Sequence, residues 1–152
     1  MPKIDVKAVV EKGGTGYPAH LAAITHGRFR KRLGDAGGLT QFGVNLCRLE
    51  PGSGSSHRHW HHNEDEFVYV LDGEVMLIED EGETILKPGD AATFKAGVAN
   101  GHTLVNRGKV DALILEVGTR STNEIAEYSE VDMRAVATGR VMKFTSKDGS
   151  SY

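Results

Sequence analysis

The most informative stretch of the sequence reads His57-Arg-His-Trp-His-His-Asn-Glu-Asp-Glu-Phe-Val-Tyr-Val-Leu-Asp-Gly73. It contains four of the chain's seven histidines within six residues, followed by carboxylates at Glu64, Asp65 and Glu66. Imidazoles and carboxylates at such density are typical of a protein site for a divalent metal ion. The apolar run that follows ends at Asp72-Gly73, a dipeptide that favours the tight turn of a β-hairpin.

The spacing of the histidines predicts which of them act together. In a β-strand, residues two apart point to the same face. We therefore expect His57, His59 and His61 to share one face, with Trp60 and His62 on the opposite face. Two imidazoles on one face of one strand can reach the same metal ion, and His57 is a candidate for an outer partner or a proton carrier, although it also suits a solvent-facing position.

A carboxylate and a fourth ligand are expected to complete the site. A tight hairpin through residues 62–65 would bring Glu66 back beside His59 and His61 as an oxygen ligand. His102 opens a predicted strand after a glycine-flanked loop, which suits a ligand from elsewhere in the sheet. Three imidazoles and one carboxylate suit one divalent ion of Zn, Fe, Mn, Ni or Co, and on an octahedral ion they leave about two positions for substrate or water.

The rest of the chain predicts many short strands. Glycine is abundant at 19 residues, and turn signals such as Lys87-Pro-Gly-Asp90 recur about every ten residues without a long helical pattern between them. This pattern is typical of an all-β sandwich or barrel. Past Gly118 the sequence becomes more polar, and residues 131–141 are interpreted as a short helix or a loop.

Composition limits the class of protein. A chain of 152 residues with net charge -3 is expected to form one domain with no general attraction to nucleic acid or to anionic membranes. The N-terminus lacks a signal-peptide pattern, and no apolar run approaches the length of a membrane span. Cys47 is the single cysteine, so no intrachain disulfide can form. A cytoplasmic location is the default expectation.

The segment Arg28-Phe-Arg-Lys-Arg32 carries four cations in five positions. One interpretation is a binding site for an anion such as phosphate. The other is a solvated face with Phe29 and Leu33 packed inward. Since isolated basic runs in a net acidic chain usually lie on the surface, the sequence favours the second interpretation.

The spacing His59-x-His61-x4-Glu66-x6-Gly73 resembles the first sequence motif of the cupin superfamily, and the segment from Gly89 to Asn106 resembles its second. The similarity runs from about Gly43 to Gly118. It implies an all-β double-stranded β-helix (jelly-roll) barrel with N- and C-terminal arms, in which the metal lies inside the barrel. The expected arrangement is an N-terminal arm with edge strands (1–40), a barrel core (41–118) and a C-terminal segment packing on or swapping across the barrel (119–152). By the resemblance the ligands are His59, His61, Glu66 and His102, and a homodimer is expected.

The resemblance leaves the reaction open. The first hypothesis is a metalloenzyme that acts on a small polar molecule, sugar-like or hydroxy-acid-like, in the manner of a sugar-phosphate isomerase. His57 is then the candidate catalytic base. A second version of the enzyme is an Fe(II) dioxygenase. The alternative from a different class is a barrel that binds or senses a small molecule without turnover, and a storage barrel ranks last. A polar cavity with cations would favour the isomerase, whereas an open apolar cavity would favour oxygenation.

Overall fold

The computed structural model of the chain describes residues 2–139 and 141–152. Strands dominate, so the all-β prediction is confirmed. In chain order the elements are a 3₁₀ helix (Ala19–Thr25), β1 (Arg28–Arg32), α1 (Leu33–Ala36), β2 (Phe42–Leu49), β3 (His59–His61), β4 (Glu66–Asp72), β5 (Val75–Glu79), β6 (Gly82–Leu86), β7 (Ala91–Phe94), β8 (Thr103–Val105), β9 (Ala112–Thr119), β10 (Asn123–Tyr128), β11 (Arg134–Thr138) and β12 (Val141–Thr145). Within the described ranges, neither helix has the length and apolar character needed to cross a membrane.

The strands form three antiparallel sheets. One has five strands in the order β1-β2-β9-β4-β7, the second has the order β12-β11-β10-β3, and the third has the order β6-β5-β8. A backbone bridge pairs His59 of β3 with His102, the residue before β8, and so connects the second sheet to the third; a second bridge pairs Gly54, in the segment before β3, with Val105 of β8. The two smaller sheets therefore make one wall of a barrel, and the five-stranded sheet makes the other.

The inward-facing positions of the five-stranded sheet change character along the strands. On β9, Ile114 is fully buried in apolar surroundings, whereas Glu116 two residues later lines a cavity. On β4 the same change runs from Val70 to Glu66. One end of the barrel is thus filled by an apolar core and the other end stays open and polar. The buried core residues are Cys47, Leu49, Val68, Val70, Val75, Leu77, Leu86, Leu104, Ala112 and Ile114.

The chain turns at Asp72-Gly73 between β4 and β5, but these strands lie in different sheets, so the hairpin predicted there is wrong. Gly73 has φ of +69°, a conformation that residues with a side chain rarely adopt. A Cβ atom at this position would also lie 2.6 Å from the carbonyl oxygen of Asp111. Two independent constraints therefore require glycine here, and the turn fixes the direction in which β4 leaves the site.

The C-terminal segment differs from the prediction. The sequence predicts a helix or a loop over residues 131–141, but this segment contains β11, and the polar stretch before it is β10. On β10 the residues Glu124, Ala126 and Tyr128 are buried while alternate residues face outward. This alternation was missed because a carboxylate occupies the first inward position. The predicted domain boundaries remain a prediction.

Candidate metal centre

β3 carries His59 and His61 into the open end of the barrel. This strand pairs with β10, where Tyr128 lies opposite His59 and Ala126 lies opposite His61. The predicted hairpin between β3 and β4 is wrong, because β4 pairs with β7 and β9 in the five-stranded sheet. Glu66 therefore approaches the two histidines from the facing wall of the barrel.

His102 is held next to His59 through the main chain. The N–H of His59 donates to the carbonyl of His102 at 3.2 Å, and the N–H of His102 donates to the carbonyl of His59 at 3.0 Å. The two imidazole centroids are 4.9 Å apart. Phe94 stacks on the His102 ring with an interplanar angle of 3°, which fixes the ring orientation. A residue 43 positions away in sequence is thus brought to the histidine motif.

One oxygen of Glu66 lies at the centre of the group. Its Oε2 is 2.8 Å from Nε2 of His102, 3.4 Å from Nε2 of His61 and 3.9 Å from Nε2 of His59. One ligand atom from each of His59, His61 and Glu66 lies within 4.8 Å of the others. The four residues predicted from the sequence therefore come together at one point, with His102 attached to the group through Glu66.

Several atoms of this group lack hydrogen-bond partners. Among the described residues, Glu66 Oε2, both ring nitrogens of His61 and Nδ1 of His102 are buried with no partner. The approach of His102 Nε2 to Glu66 is close but is not aligned as a hydrogen bond. Buried polar atoms are nearly always satisfied in folded proteins. Of these atoms, Nε2 of His61 and Oε2 of Glu66 face the common point, and an unsatisfied imidazole nitrogen and carboxylate oxygen there fit the donor set of a divalent metal.

The tautomer of His59 is fixed by its neighbours. Its Nδ1 lies 2.9 Å from the carbonyl oxygen of His57 and 3.2 Å from the hydroxyl of Ser56. Because a carbonyl can only accept, Nδ1 carries the proton and Nε2 presents its lone pair towards Glu66. Burial lowers the pKa of His59 to about 3, so the ring is neutral at physiological pH.

Glu66 is ionised in this setting. Burial alone would raise its pKa, but the close contact with His102 and the neighbouring imidazoles His59 and His61 lower the pKa below the usual range of a glutamate. Metal ligation requires neutral imidazole and ionised carboxylate. His59 and Glu66 therefore have the protonation states in which they can act as ligands.

Glu124 on β10 belongs to the site and was missed from the sequence. It is fully buried, and its carboxylate accepts hydrogen bonds from the N–H groups of His62 at 2.9 Å and Asn63 at 3.0 Å. Its Oε1 also lies 3.4 Å from Nδ1 of His61. This approach is not aligned as a hydrogen bond, but it places a carboxylate on the side of the ring where such groups orient metal-binding histidines and increase their basicity. The available signal was the alternation of Glu124 with the apolar residues of β10.

Glu64 was predicted to be a turn residue, and it also contributes to the site. Its carboxylate accepts a hydrogen bond from the N–H of Ser121 at 2.7 Å. Burial raises the pKa of Glu64. Ligand atoms of His61, Glu64 and Glu124 form a second group within 4.8 Å, on the Nδ1 side of the His61 ring. The ring of His61 is therefore flanked by carboxylates on both sides.

His57 does not share the strand face of His59 and His61. β3 begins at His59, so the parity assumed from the sequence does not extend to His57. Its Nε2 lies 2.8 Å from the carbonyl oxygen of Leu21, and its ring centroid is 5.4 Å from that of Tyr17. These contacts hold the N-terminal segment against the barrel. The catalytic role of His57 remains a prediction, and its placement gives that prediction no support.

The open end of the barrel contains a cavity of about 500 Å³. His59, His61, Glu66 and His102 line it on one side. Tyr128 forms another part of the wall, and its ring stacks on His59 with a centroid distance of 5.5 Å. Burial and the neighbouring Tyr17 raise the pKa of Tyr128, so its hydroxyl remains protonated and can donate a hydrogen bond at neutral pH.

Arg28 and Arg30 of the basic segment are turned into the barrel, against the favoured interpretation of a solvated face, whereas the side chain of Arg32 lies exposed at the rim. Arg28, Arg30 and Arg32 occupy alternate positions of β1, and all three line the cavity. Phe29 faces the other way, where the guanidinium of Arg48 lies 4.4 Å from its ring centroid. The sequence favours the wrong interpretation because the residues of a strand alternate between two faces. The three arginines lie on the face towards the cavity, and Phe29 and Lys31 lie on the other face.

Comparison with known proteins identifies the family. The sequence model of the Cupin domain matches residues 45–118. A crystal structure described as a sugar phosphate isomerase from a cupin superfamily, from Silicibacter pomeroyi, is 50% identical over 99% of this chain and 96% of that chain, with a TM-score of 0.95. This chain belongs to the cupin superfamily. The predicted resemblance and the jelly-roll class are confirmed. No curated protein matches the sequence of this cupin.

Two further structures show how the similarity falls off. A protein from Acidithiobacillus ferrooxidans with a provisional sugar phosphate isomerase name is 30% identical over 82% of this cupin and 80% of that chain, with a TM-score of 0.74. A polyketide cyclase from Streptomyces resistomycificus is 20% identical over 78% of this cupin and 79% of that chain, with a TM-score of 0.63. The second similarity concerns the fold alone, because one barrel fold carries many different chemistries.

Proposed function

We propose that this cupin binds one divalent metal ion through His59, His61, Glu66 and His102 and acts on a small, polar, sugar-like or hydroxy-acid-like molecule in the manner of a sugar-phosphate isomerase. The observation that carries the proposal is the convergence of three imidazole Nε2 atoms on a buried Glu66 oxygen that has no hydrogen-bond partner among the described residues. The name of the 50% identical protein from Silicibacter pomeroyi supports the choice of reaction.

The residues of the cavity suit such a substrate. A divalent ion supplies Lewis-acid polarisation to a carbonyl or hydroxyl oxygen bound beside it. Glu66 as a carboxylate and His59 as a neutral imidazole would hold such an ion. The protonated hydroxyl of Tyr128, next to His59, can donate a hydrogen bond to a substrate oxygen. The cavity is polar and carries arginines, which supports an isomerase over an oxygenase with an apolar substrate.

Two measurements test this proposal. Elemental analysis of the purified protein is expected to find close to one divalent metal per chain. In D₂O, nuclear magnetic resonance should detect exchange of a carbon-bound proton next to the carbonyl of aldose or ketose phosphates, and removal of the metal should stop the exchange. Absence of metal from purified and reconstituted protein would contradict the site. Metal and sugar-phosphate binding without proton exchange would instead support a binding barrel, and consumption of O₂ would support a dioxygenase.

The homodimer and the cytoplasmic location remain predictions. The outer face of β4 exposes Phe67, Tyr69 and Leu71 at 36%, 37% and 42%. Exposed apolar side chains on an outer sheet face are the feature expected of a surface that a second copy covers. Sedimentation equilibrium would measure the oligomeric state, and charged substitutions at these three positions should produce monomer if the face is the interface.

A further inference from the structure

The cavity contains a second chemical environment besides the histidines. The inner row of β1 presents Arg28, Arg30 and Arg32 to the same cavity, and Arg120 joins them at the end of β9. Among the residues that line this end of the cavity there are four arginines and two carboxylates, those of Asp35 and Glu116. This end therefore carries an excess of positive charge.

Arg30 is already neutralised by the protein. Its Nε and Nη2 donate to the two carboxylate oxygens of Glu116 at 2.7 and 2.8 Å. The pair is bidentate, which is the strongest arrangement of an arginine and a carboxylate. Since both oxygens of Glu116 are engaged, this carboxylate is not free to pair with the next arginine on the strand.

Arg28 is the unusual residue of the row. It is only 9% exposed, and its guanidinium donates to two neutral carbonyls, those of Ser55 at 2.6 Å and Gly14 at 3.0 Å. In the part of the chain that the structure describes, no carboxylate forms a salt bridge with it. A buried cation without an anion is costly, and a guanidinium has five N–H donors, of which these bonds use two. The remaining donors are available to an anion in the cavity.

Arg28 lies close to the histidine end of the cavity. Its partner Ser55 is followed by Ser56, whose hydroxyl lies 3.2 Å from Nδ1 of His59. The arginine and the proposed ligand are therefore connected through two consecutive residues. A cavity of about 500 Å³ lies within the range that holds small-molecule ligands. One molecule can thus reach the metal group with one end and Arg28 with the other.

We infer that Arg28, assisted by Arg32 at the rim, forms a subsite for the phosphate group of the substrate. This inference rests on the proposed function, because only that function makes the anion site a part of the substrate site. Arginine is suited to this role because its planar fork matches phosphate oxygens and stays charged when buried. Arg32 is 71% exposed at its side chain, with Asp35 at 3.9 Å, so it can approach an entering anion without breaking a tight bond.

The test is calorimetric titration of inorganic phosphate into the metal-loaded and the metal-stripped protein at low ionic strength. We expect binding in both forms. Arg28→Gln should weaken it about tenfold or more, because charge-assisted hydrogen bonds are lost. Arg28→Lys should have a smaller effect, since it keeps the charge without the fork. Arg32→Gln should weaken binding about threefold, in line with an exposed contact. The matched control is Arg107→Gln, which removes an exposed arginine outside the cavity and should leave phosphate affinity unchanged.

The outcomes separate the subsite from the metal site. Phosphate binding that disappears when the metal is stripped, and that is equal in wild type, Arg28→Gln and Arg32→Gln, would place the anion on the metal and overturn the inference. Equal affinity for acetate would overturn the assignment to phosphate. If circular dichroism showed that Arg28→Gln does not fold, Arg32→Gln and Arg28→Lys would decide. If the wild type bound no metal but bound phosphate through Arg28, the proposed function would fail while the anion subsite would stand.

Discussion

The two ends of the cavity are built in opposite ways. At the histidine end, buried atoms of His61, Glu66 and His102 have no hydrogen-bond partners among the described residues. At the arginine end, Arg30 is paired with Glu116 and Arg28 is bound to two carbonyls. The first end leaves ligand-type atoms without a partner, whereas at the second end the charge of Arg30 is neutralised within the protein. Loss of a side chain should therefore affect metal affinity at one end and stability at the other.

The largest effect is expected from removing a ligand at the histidine end. His59→Ala or Glu66→Gln should weaken metal binding by more than about 100-fold, because even outer partners of ligands contribute about 10- to 100-fold. Competition with a chromophoric chelator measures the affinity. His62→Ala is the control, since this ring stacks on Trp60 outside the ligand group. Metal affinity that stayed within a few fold of wild type in both ligand variants would place the metal elsewhere.

At the arginine end, the next effect should appear in stability. Arg30→Met leaves Glu116 unpaired in a mostly buried position, so we expect a loss of about 2 kcal/mol in the free energy of unfolding. Arg107→Met breaks an equally bidentate but exposed pair with Glu83 and should cost clearly less stability, because solvent screens an exposed ion pair. Urea titration measures both. If both variants lost the same free energy of unfolding, the buried Arg30–Glu116 pair would not differ in stability from the exposed Arg107–Glu83 pair.

The carboxylate behind His61 should have an intermediate effect on the metal. Glu124→Gln keeps the shape of the side chain but removes the charge next to Nδ1 of His61, and about tenfold weaker metal binding is expected. Glu127→Gln on the same strand is the control, because Glu127 pairs with Arg134 and not with the ligand group. Unchanged affinity in Glu124→Gln would limit this residue to bonding the main chain of His62 and Asn63.

The smallest effect is expected for His57, which lies between the two ends in sequence. His57→Ala removes the hydrogen bond to the carbonyl of Leu21 and should cost about 1 kcal/mol of stability while the metal stays bound. Thermal unfolding and elemental analysis provide the two measurements. A loss of metal as large as in His59→Ala would return His57 to the ligand set.

The sequence predicted the histidine end better than the arginine end for a physical reason. His59, His61, Glu66 and Gly73 lie within one short stretch, so one family motif names them together even though the strand pairing expected between His61 and Glu66 does not form. The turn predicted at Lys87-Pro-Gly-Asp90 is also found, directly before β7, since proline and glycine there suit a tight turn. The prediction of a hairpin between β3 and β4 is wrong because the sequence of a short strand does not determine which strand it pairs with. Its partner β10 lies about sixty residues later in the chain.

The arginine end could not be predicted because it depends on which face of β1 is turned inward. In Arg28-Phe-Arg-Lys-Arg32 both faces carry charge, so the usual contrast between apolar and polar faces is absent. Only the pairing of β1 with β2 settles the orientation. Glu124 was missed for a related reason, since its partners are main-chain N–H groups that leave no pattern in the sequence.

The main-chain bridge between His59 and His102 has a mechanical consequence. It lies where the two smaller sheets meet, so the same two residues fasten the wall of the barrel and carry two of the proposed ligands. If the sheets separated at this bridge, the two imidazoles would move apart. An ion bound by both imidazoles would therefore stabilise the contact between the sheets. The amide protons of His59 and His102 are therefore natural reporters: their exchange with solvent measures how often the barrel wall opens.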